Sequence, residues 1–203
     1  MEYIYKQGEI IYPGKTLTLL DKLVLDFLSY IDVDYVIVSG YVAILFGRDR
    51  HTEDVDMFIK HIVRRRFLKL FNRITTSGKY YCINTDDADD AYDILEEHSS
   101  VRFAENDTFD PNFEIKFPQN ELNRYSLDNA IRVKIDDNPE IKIGPLELQL
   151  AYKLYLGSEK DYEDAAHTYT IFKNDINKAE LKRFLKKLHI KASIVKEVLV
   201  DEI

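Results

Sequence analysis

The sequence is poor in the residues that mark secreted, zinc-binding or membrane proteins. Only one of the 203 residues is a cysteine, so Cys82 cannot form an internal disulfide and a zinc site built of cysteines is excluded. The 5 histidines show no spacing typical of metal ligands. No apolar run approaches the roughly 18 residues of a membrane-spanning helix, and the first residues lack the order of a signal peptide. We therefore expect a cytoplasmic protein with no membrane partner.

Charge and composition narrow the class further. The chain has 28 Lys and Arg against 36 Asp and Glu, a net charge of −8. A negative net charge argues against a protein that coats nucleic acid, although it does not exclude a local basic groove. The hydrophobic share of 45% and the charged share of 32% are those of a globular protein. The length suits one domain, or one domain with a small appendage.

Hydrophobic periodicity predicts a mixed α/β part followed by helices. The predicted strands are 35–38, 54–59, 101–104, 113–117, 131–135 and 140–143. Helical spacing marks 16–31, 41–46 and 61–73, and the acidic stretch 86–97 is either a surface helix or a loop. From Leu146 onward the pattern is helical, with breaks near Gly157 and Asn174. We predict an α/β core over residues 1–144, with an N-terminal arm or hairpin, and a C-terminal helical subdomain over 145–203.

Two aspartates on one predicted strand are the first candidate for chemistry. Asp54 and Asp56 are two positions apart, so their side chains point to the same face of a strand. Adjacent carboxylates repel each other unless a cation lies between them. Mg²⁺ prefers such hard oxygen ligands, often together with phosphate oxygens. Taken alone, however, two acids at a strand end are more often surface decoration.

The turn after the strand at 35–38 is the second candidate. It begins with Ser39-Gly40, where a helix follows directly. Gly40 allows the backbone to approach a phosphate, Ser39 offers a hydroxyl, and a helix N-terminus favours an anion. The turn and the two aspartates together predict a site for a metal ion and a triphosphate.

The combination resembles the first motif of the nucleotidyltransferase (polymerase β-like) superfamily. The matching residues are Val36-Ile37-Val38-Ser39-Gly40-Tyr41-Val42-Ala43 and Gly47-Arg48-x-Arg50-x-Thr52-x-Asp54-Val55-Asp56-Met57-Phe58. The similarity is closest to the minimal prokaryotic branch of AbiEii-type abortive-infection and toxin nucleotidyltransferases, whose pattern Arg50 and Thr52 match well. This sequence has Ser-Gly where the family more often has Gly-Gly or Gly-Ser.

A downstream stretch is similar to a second motif of that branch. It runs from Ile141 through Gly144-Pro145-Leu146-Glu147 to Lys153 and Lys160-Asp161-Tyr162-Glu163-Asp164. The resemblance implies that Lys153 reaches the phosphates, and that Asp161 and Asp164 face the site or fix basic residues near it. Without the first motif, these residues would be read as ordinary exposed charges of helices.

The family usually has a third carboxylate on a later strand, and Glu114 is the candidate. In the segment 113–117 the side chains of Glu114 and Lys116 share one face, which suggests a cleft. The alternatives are a surface strand edge, or a third carboxylate at Asp110 or Glu121.

The resemblance implies metal-dependent transfer of a nucleoside monophosphate from an NTP to a hydroxyl of RNA, such as tRNA, or of a protein. Asp54, Asp56 and Glu114 would hold Mg²⁺ or Mn²⁺. Ser39, Gly40, Arg50, Thr52, Lys153 and Asp161 would contribute to nucleotide binding. A cognate antitoxin is an implied partner. The alternative function is a catalytically silent module that keeps the fold and serves as a binding or regulatory protein.

Overall fold

The computed structural model describes residues 2–6 and 8–200, and its strands form one mixed sheet. The strands are β1 (Ile4–Lys6), β2 (Glu9–Ile11), β3 (Tyr35–Ile37), β4 (Asp54–Ile59), β5 (Tyr80–Cys82), β6 (Val101–Glu105), β7 (Asn112–Lys116), β8 (Ile131–Lys134) and β9 (Ile141–Ile143). Their order across the sheet is β1-β2-β8-β9-β3-β4-β7-β6-β5.

Helices connect the strands and follow them. They are α1 (Leu19–Leu28), α2 (Gly40–Leu45), α3 (Arg64–Thr75), α4 (Ala88–Glu96), α5 (Glu121–Asp128), α6 (Leu146–Leu156), α7 (Glu159–Phe172), α8 (Lys178–Lys187) and α9 (Ala192–Leu199). Of these, α7 packs against both α6 and the short α2, which brings part of the C-terminal helical region close to Ser39 and Gly40. None of the helices in the described part of the chain is long and apolar enough to cross a membrane.

Strand β4 lies near the centre of the sheet and alternates strictly. Val55, Met57 and Ile59 are buried in the core, so the intervening Asp54 and Asp56 must point to the opposite face. Strand β3 runs antiparallel to β4 and β7 runs parallel to it. On the core side Phe113 of β7 stacks on Phe27 of α1, with ring centroids 3.8 Å apart. The sheet therefore holds its acidic face in a fixed register.

The predicted fold class is confirmed, and most predicted elements are present. The acidic stretch 86–97 forms helix α4, whose first turn is capped by the side chain of Asp87. The N-terminal arm is a hairpin that joins the sheet through parallel pairing of β2 with β8. Strand β5 and helix α5 were not predicted. Residues 1 and 7 of the arm and residues 201–203 of the predicted helical subdomain lie outside the described residues, and the division at residue 144 stays a prediction.

Candidate active site

The turn after β3 has a strained backbone at Ser39. Its φ and ψ are 67° and −138°. Residues other than glycine rarely adopt this backbone conformation, which costs about 1–3 kcal/mol. The backbone N–H of Ser39 donates to Oε1 of Gln149 on α6, at 3.1 Å. Gln149 is only 9% exposed, and its Nε2 has no hydrogen-bond partner among the described residues. A buried side chain of the helical part thus holds the turn in its unusual conformation.

Gly40 is required where it stands because a side chain approaches its Cα. A Cβ atom at this position would lie 2.4 Å from Nη2 of Arg50 and 3.5 Å from Oγ1 of Thr52. Thr52 is buried and donates from Oγ1 to the backbone oxygen of Asp54, at 3.0 Å. Arg50 and Thr52, which precede β4 in the chain, therefore line the turn, and their role in nucleotide binding stays a prediction.

A buried ion-pair network ties α7 to this turn. Arg50 donates to Oδ1 and Oδ2 of Asp164 at 2.9 and 2.8 Å, and Asp164 is only 1% exposed. Lys153 of α6 lies 3.0 Å from Oδ2 of Asp164 and 2.7 Å from Oδ1 of Asp161. Burial alone would raise the pKa of the Asp161 carboxyl, but hydrogen bonds from Lys153 and Ser158 outweigh it and lower that pKa. Asp161 and Asp164 thus fix basic side chains, which is one of the two roles expected of them.

Asp54 and Asp56 lie on the polar face of β4, next to the turn. Ile37 pairs with Met57, and the N–H of Val38 donates to the backbone oxygen of Asp56. Because β3 is antiparallel to β4, the chain that leaves β3 runs alongside Asp56 towards Asp54. Burial and the neighbouring charges of Asp56 and Glu114 raise the pKa of the Asp54 carboxyl. A cation bound beside Asp54 would offset the repulsion from these neighbouring carboxylates.

Glu114 lies on the same face, but cations surround it. Strand pairing sets Asp56 opposite Glu114, and Nζ of Lys116 lies 2.9 Å from Oδ1 of Asp56 and 2.7 Å from Oε2 of Glu114. The other oxygen, Oε1, accepts from Nε of Arg102 at 2.6 Å. Burial would raise the pKa of Glu114, yet Lys116 and Arg102 outweigh it and lower that pKa. The structure brings the third predicted carboxylate to the aspartates with Lys116 between them.

A cavity of about 440 Å³ opens beside these groups. Ser39, Asp56, Lys116 and Lys153 lie on its wall, so it connects the turn, the carboxylate of Asp56 and the ion-pair network. Amide side chains from α5, the loop before it and α6 complete the polar lining, at Gln119, Asn120, Asn123 and Gln149. Neither Asp54 and Glu114 nor the rivals Asp110 and Glu121 are among the lining residues, and Glu121 pairs with Lys187.

The donor set fits a divalent ion at the two aspartates but not at all three carboxylates together. The raised pKa of Asp54 and its place beside Asp56 on one strand face suit a hard cation. Both oxygens of Glu114 are engaged by Lys116 and Arg102. Accordingly, no group of three histidine, cysteine or acidic side chains within residues 2–6 and 8–200 is placed to hold a metal. Whether Glu114 binds metal stays a prediction.

Comparison with known proteins identifies the fold. The chain is similar to the crystal structure of an antigenic nucleotidyltransferase-like protein from Paracoccidioides brasiliensis, with a TM-score of 0.50 and 19% identity over 89% of this chain and 90% of that chain. The fold is nucleotidyltransferase-like. The structure of JHP933 from Helicobacter pylori gives a TM-score of 0.49 and 15% identity, over 91% of this chain and 81% of that chain. No protein-family model and no curated protein matches the chain.

Several residues that shape this candidate site were not predicted from the sequence. Gln149, which holds the Ser39 turn, is an uncharged polar residue within the apolar run of α6, and that contrast was its available signal. Arg102 reaches Glu114 only because β6 pairs with β7 in a register that sets the two residues opposite each other. Lys116 was placed on the face of Glu114, but its bridge to Asp56 depends on strand pairing.

Proposed function

We propose that the protein is a nucleotidyltransferase that moves a nucleoside monophosphate from an NTP to a hydroxyl acceptor. The observation that carries the proposal is the antiparallel pairing of β3 with β4, which sets the Ser39-Gly40 turn beside Asp54 and Asp56, with Ser39 and Asp56 on the wall of the cavity. A triphosphate needs cations and backbone donors near its phosphates and a metal site beside them. The nucleotidyltransferase-like fold supports the same reading.

The reaction assigns distinct roles to the residues of the wall. The acceptor hydroxyl would lose its proton to water, and its oxygen would form a bond to the α-phosphorus. The bond from that phosphorus to the bridging oxygen would break, and pyrophosphate would leave. Ser39 and Gly40 would position the β- and γ-phosphates, and Lys153 would face the cavity side of the phosphate chain. Arg50 and Asp161 would act indirectly, because both are engaged in the network that fixes the turn and Lys153. Thr52 would hold the start of β4.

Asp54 and Asp56 would hold Mg²⁺ or Mn²⁺. A divalent ion bound there would supply Lewis-acid chemistry at the α-phosphate. Strand β4 is held between β3 and β7, so its two carboxylates would keep the bound ion in a fixed position. The cavity volume of about 440 Å³ lies within the range of small-molecule sites, and its amide side chains suit the hydrogen-bonding edge of a base.

The motif resemblance to the AbiEii-type branch suggests the acceptor class and the setting. An RNA such as tRNA, or a protein, would provide the hydroxyl, and a cognate antitoxin would control the enzyme. These finer assignments rest on the motifs around Asp54 and Lys153 alone.

Label transfer from α-³²P-NTPs tests the function directly. The parent protein is incubated with Mg²⁺ or Mn²⁺, each of the four NTPs, and tRNA or total protein. We expect label on an acceptor with the parent and a loss of at least a hundredfold with Asp54→Asn. The matched control is Asp137→Asn, an exposed aspartate in the turn between β8 and β9, which should transfer at the parent rate. Transfer by Asp54→Asn at the parent rate would contradict the site assignment.

The same variant has a distinctive effect on stability. Asp54 carries a pKa raised by burial and by neighbouring carboxylates, so removing its charge relieves repulsion in the metal-free protein. We expect the melting temperature of Asp54→Asn without metal to equal or exceed that of the parent. A clear fall would mean that the loss of transfer reports damage to the fold.

One observation favours the second candidate, a catalytically silent binding module. Lys116 already neutralises Asp56 and Glu114, so the carboxylates are partly satisfied without metal. Binding of NTP by calorimetry without label transfer to any acceptor would select this alternative.

A further inference from the structure

Lys116 holds an unusual position among the carboxylates. It follows Glu114 by two residues on β7, so both side chains share the face that carries Asp56 on the parallel neighbour β4. Its Nζ bridges Asp56 Oδ1 at 2.9 Å and Glu114 Oε2 at 2.7 Å. An ion shared by these two carboxylates would have to occupy the space that the ammonium fills.

Glu114 is built to keep Lys116 there. The glutamate is 6% exposed, and its second oxygen accepts from Nε of Arg102 at 2.6 Å and lies 2.5 Å from Nη2 of the same guanidinium. An uncompensated buried carboxylate is strongly destabilising, so Glu114 needs cations beside it. Lys116 and Arg102 supply them from β7 itself and from the neighbouring strand β6.

The charges of the cluster leave room for one divalent ion. Asp54, Asp56 and Glu114 carry three negative charges, and Lys116 and Arg102 carry two positive ones, which leaves one net negative charge. The carboxylate oxygens of Asp54 and Oδ2 of Asp56 make no hydrogen bond or ion pair with the described residues. One ion with one or two carboxylates and phosphate oxygens is an ordinary magnesium arrangement.

We propose that Lys116 is the built-in second cation of this site, taking the place of a second metal ion between Asp56 and Glu114. An ammonium has three N–H donors, and two of them meet the carboxylates. The third is available to the cavity, whose wall includes Lys116, and can donate to a triphosphate oxygen. The inference rests on the proposed function only for that phosphate contact, and Glu114 becomes a positioning residue for Lys116.

The number of metal ions per chain tests the inference without any need for transfer activity. Free Mn²⁺ is measured by its electron paramagnetic resonance signal while the protein is titrated with Mn²⁺ alone. We expect one bound ion per parent chain, none with Asp54→Asn, and two with Lys116→Met, which keeps the apolar stem but removes the charge. Lys116→Arg should stay at one ion because it keeps the cation.

The matched control is Lys134→Met. Lys134 also lies in the sheet and pairs with a glutamate, Glu9, at 2.8 Å, but outside the lining of the cavity. It should bind one ion, like the parent. Two ions on the parent chain, or one ion on a folded Lys116→Met variant, would overturn the inference, as would retention of the parent's single ion in Asp54→Asn.

Failure of the inference and failure of the proposed function give different results. Two ions on the parent chain together with label transfer would refute the role of Lys116 and leave the function standing. The expected stoichiometries without label transfer would refute the function and leave the cation assignment standing. If Lys116→Met does not fold, the number of Mn²⁺ ions bound by the parent and by Lys116→Arg still tests the inference, because the inference requires one ion in each.

Discussion

The contact between Gly40 and Arg50 predicts that Gly40→Ala destabilises the protein although alanine is the better helix former. Gly40 begins α2 with an ordinary helical backbone, so alanine alone would gain at most about 1 kcal/mol there. The new Cβ would lie 2.4 Å from Nη2 of Arg50, a distance that real Cβ contacts do not tolerate. Either the turn or the guanidinium must move.

The magnitude follows from what holds Arg50. Its guanidinium donates to both oxygens of the buried Asp164 at 2.9 and 2.8 Å, and a hydrogen bond between charged groups contributes about 1.5–3 kcal/mol. Asp164 keeps Lys153 at 3.0 Å, so it is not left alone when Arg50 shifts. We expect a loss of about 3 kcal/mol at the pair against a gain of about 1 from the helix, a net fall of about 2 kcal/mol in the free energy of unfolding.

A double-mutant cycle in urea isolates this contact. Gly40→Ala is measured in the parent and in an Arg50→Met background, where the guanidinium is absent but the stem remains. In that background alanine should be neutral or stabilising by up to about 1 kcal/mol. Equal destabilisation in both backgrounds would refute the reasoning, because the clash would then lie elsewhere. The cycle requires that both variants unfold in a single cooperative transition.

Two further predictions concern the same turn and its support. Ser39→Gly should raise the free energy of unfolding by about 1 kcal/mol in urea denaturation, because φ of 67° at Ser39 is strained for serine and not for glycine; a fall would show that the serine side chain stabilises the turn. Asp161→Asn should lower stability by about 2 kcal/mol near neutral pH. Burial opposes ionisation of Asp161, but Lys153 and Ser158 lower its pKa, so its contribution is present above the ordinary aspartate pKa and disappears as pH falls through the folded value. The stability difference between parent and Asp161→Asn should therefore narrow in acid, and a constant difference across that range would contradict the assigned ionisation.

Alternation made the central strands predictable from sequence. Strand β4 was predicted over 54–59 and has those bounds, since the buried Val55, Met57 and Ile59 alternate with Asp54, Asp56 and the partly exposed Phe58. Helix α5 escaped prediction for the opposite reason, because it buries Asn123 and Ser126 where an amphipathic pattern would need apolar residues. Strand β5 has three residues, Tyr80–Cys82, too few to show a period.

The site was predictable as a set of residues and not as a set of contacts. The motif named Arg50 and Lys153, but their shared partner Asp164 lies 114 positions after Arg50 in the sequence. The contact between them forms only because α7 packs next to the turn. The prediction that Glu114 shares a face with Asp56 depended on adjacency of two strands, which the pairing of β4 with β7 supplies. Sequence periodicity specifies the face of a side chain, whereas partners across a sheet depend on register.

The N-terminal hairpin has a consequence for the order in which the chain folds. Its strand β2 pairs with β8, and the hydroxyl of Tyr3 donates to the backbone oxygen of Ile171, 168 positions later. A chain emerging from the ribosome would therefore carry this hairpin unpaired through most of its synthesis. Contacts of such sequence separation slow folding and leave strand edges exposed in the meantime. We expect the hairpin to join the sheet only after β8 has been made, and the Tyr3 hydrogen bond to form only after α7 has been made.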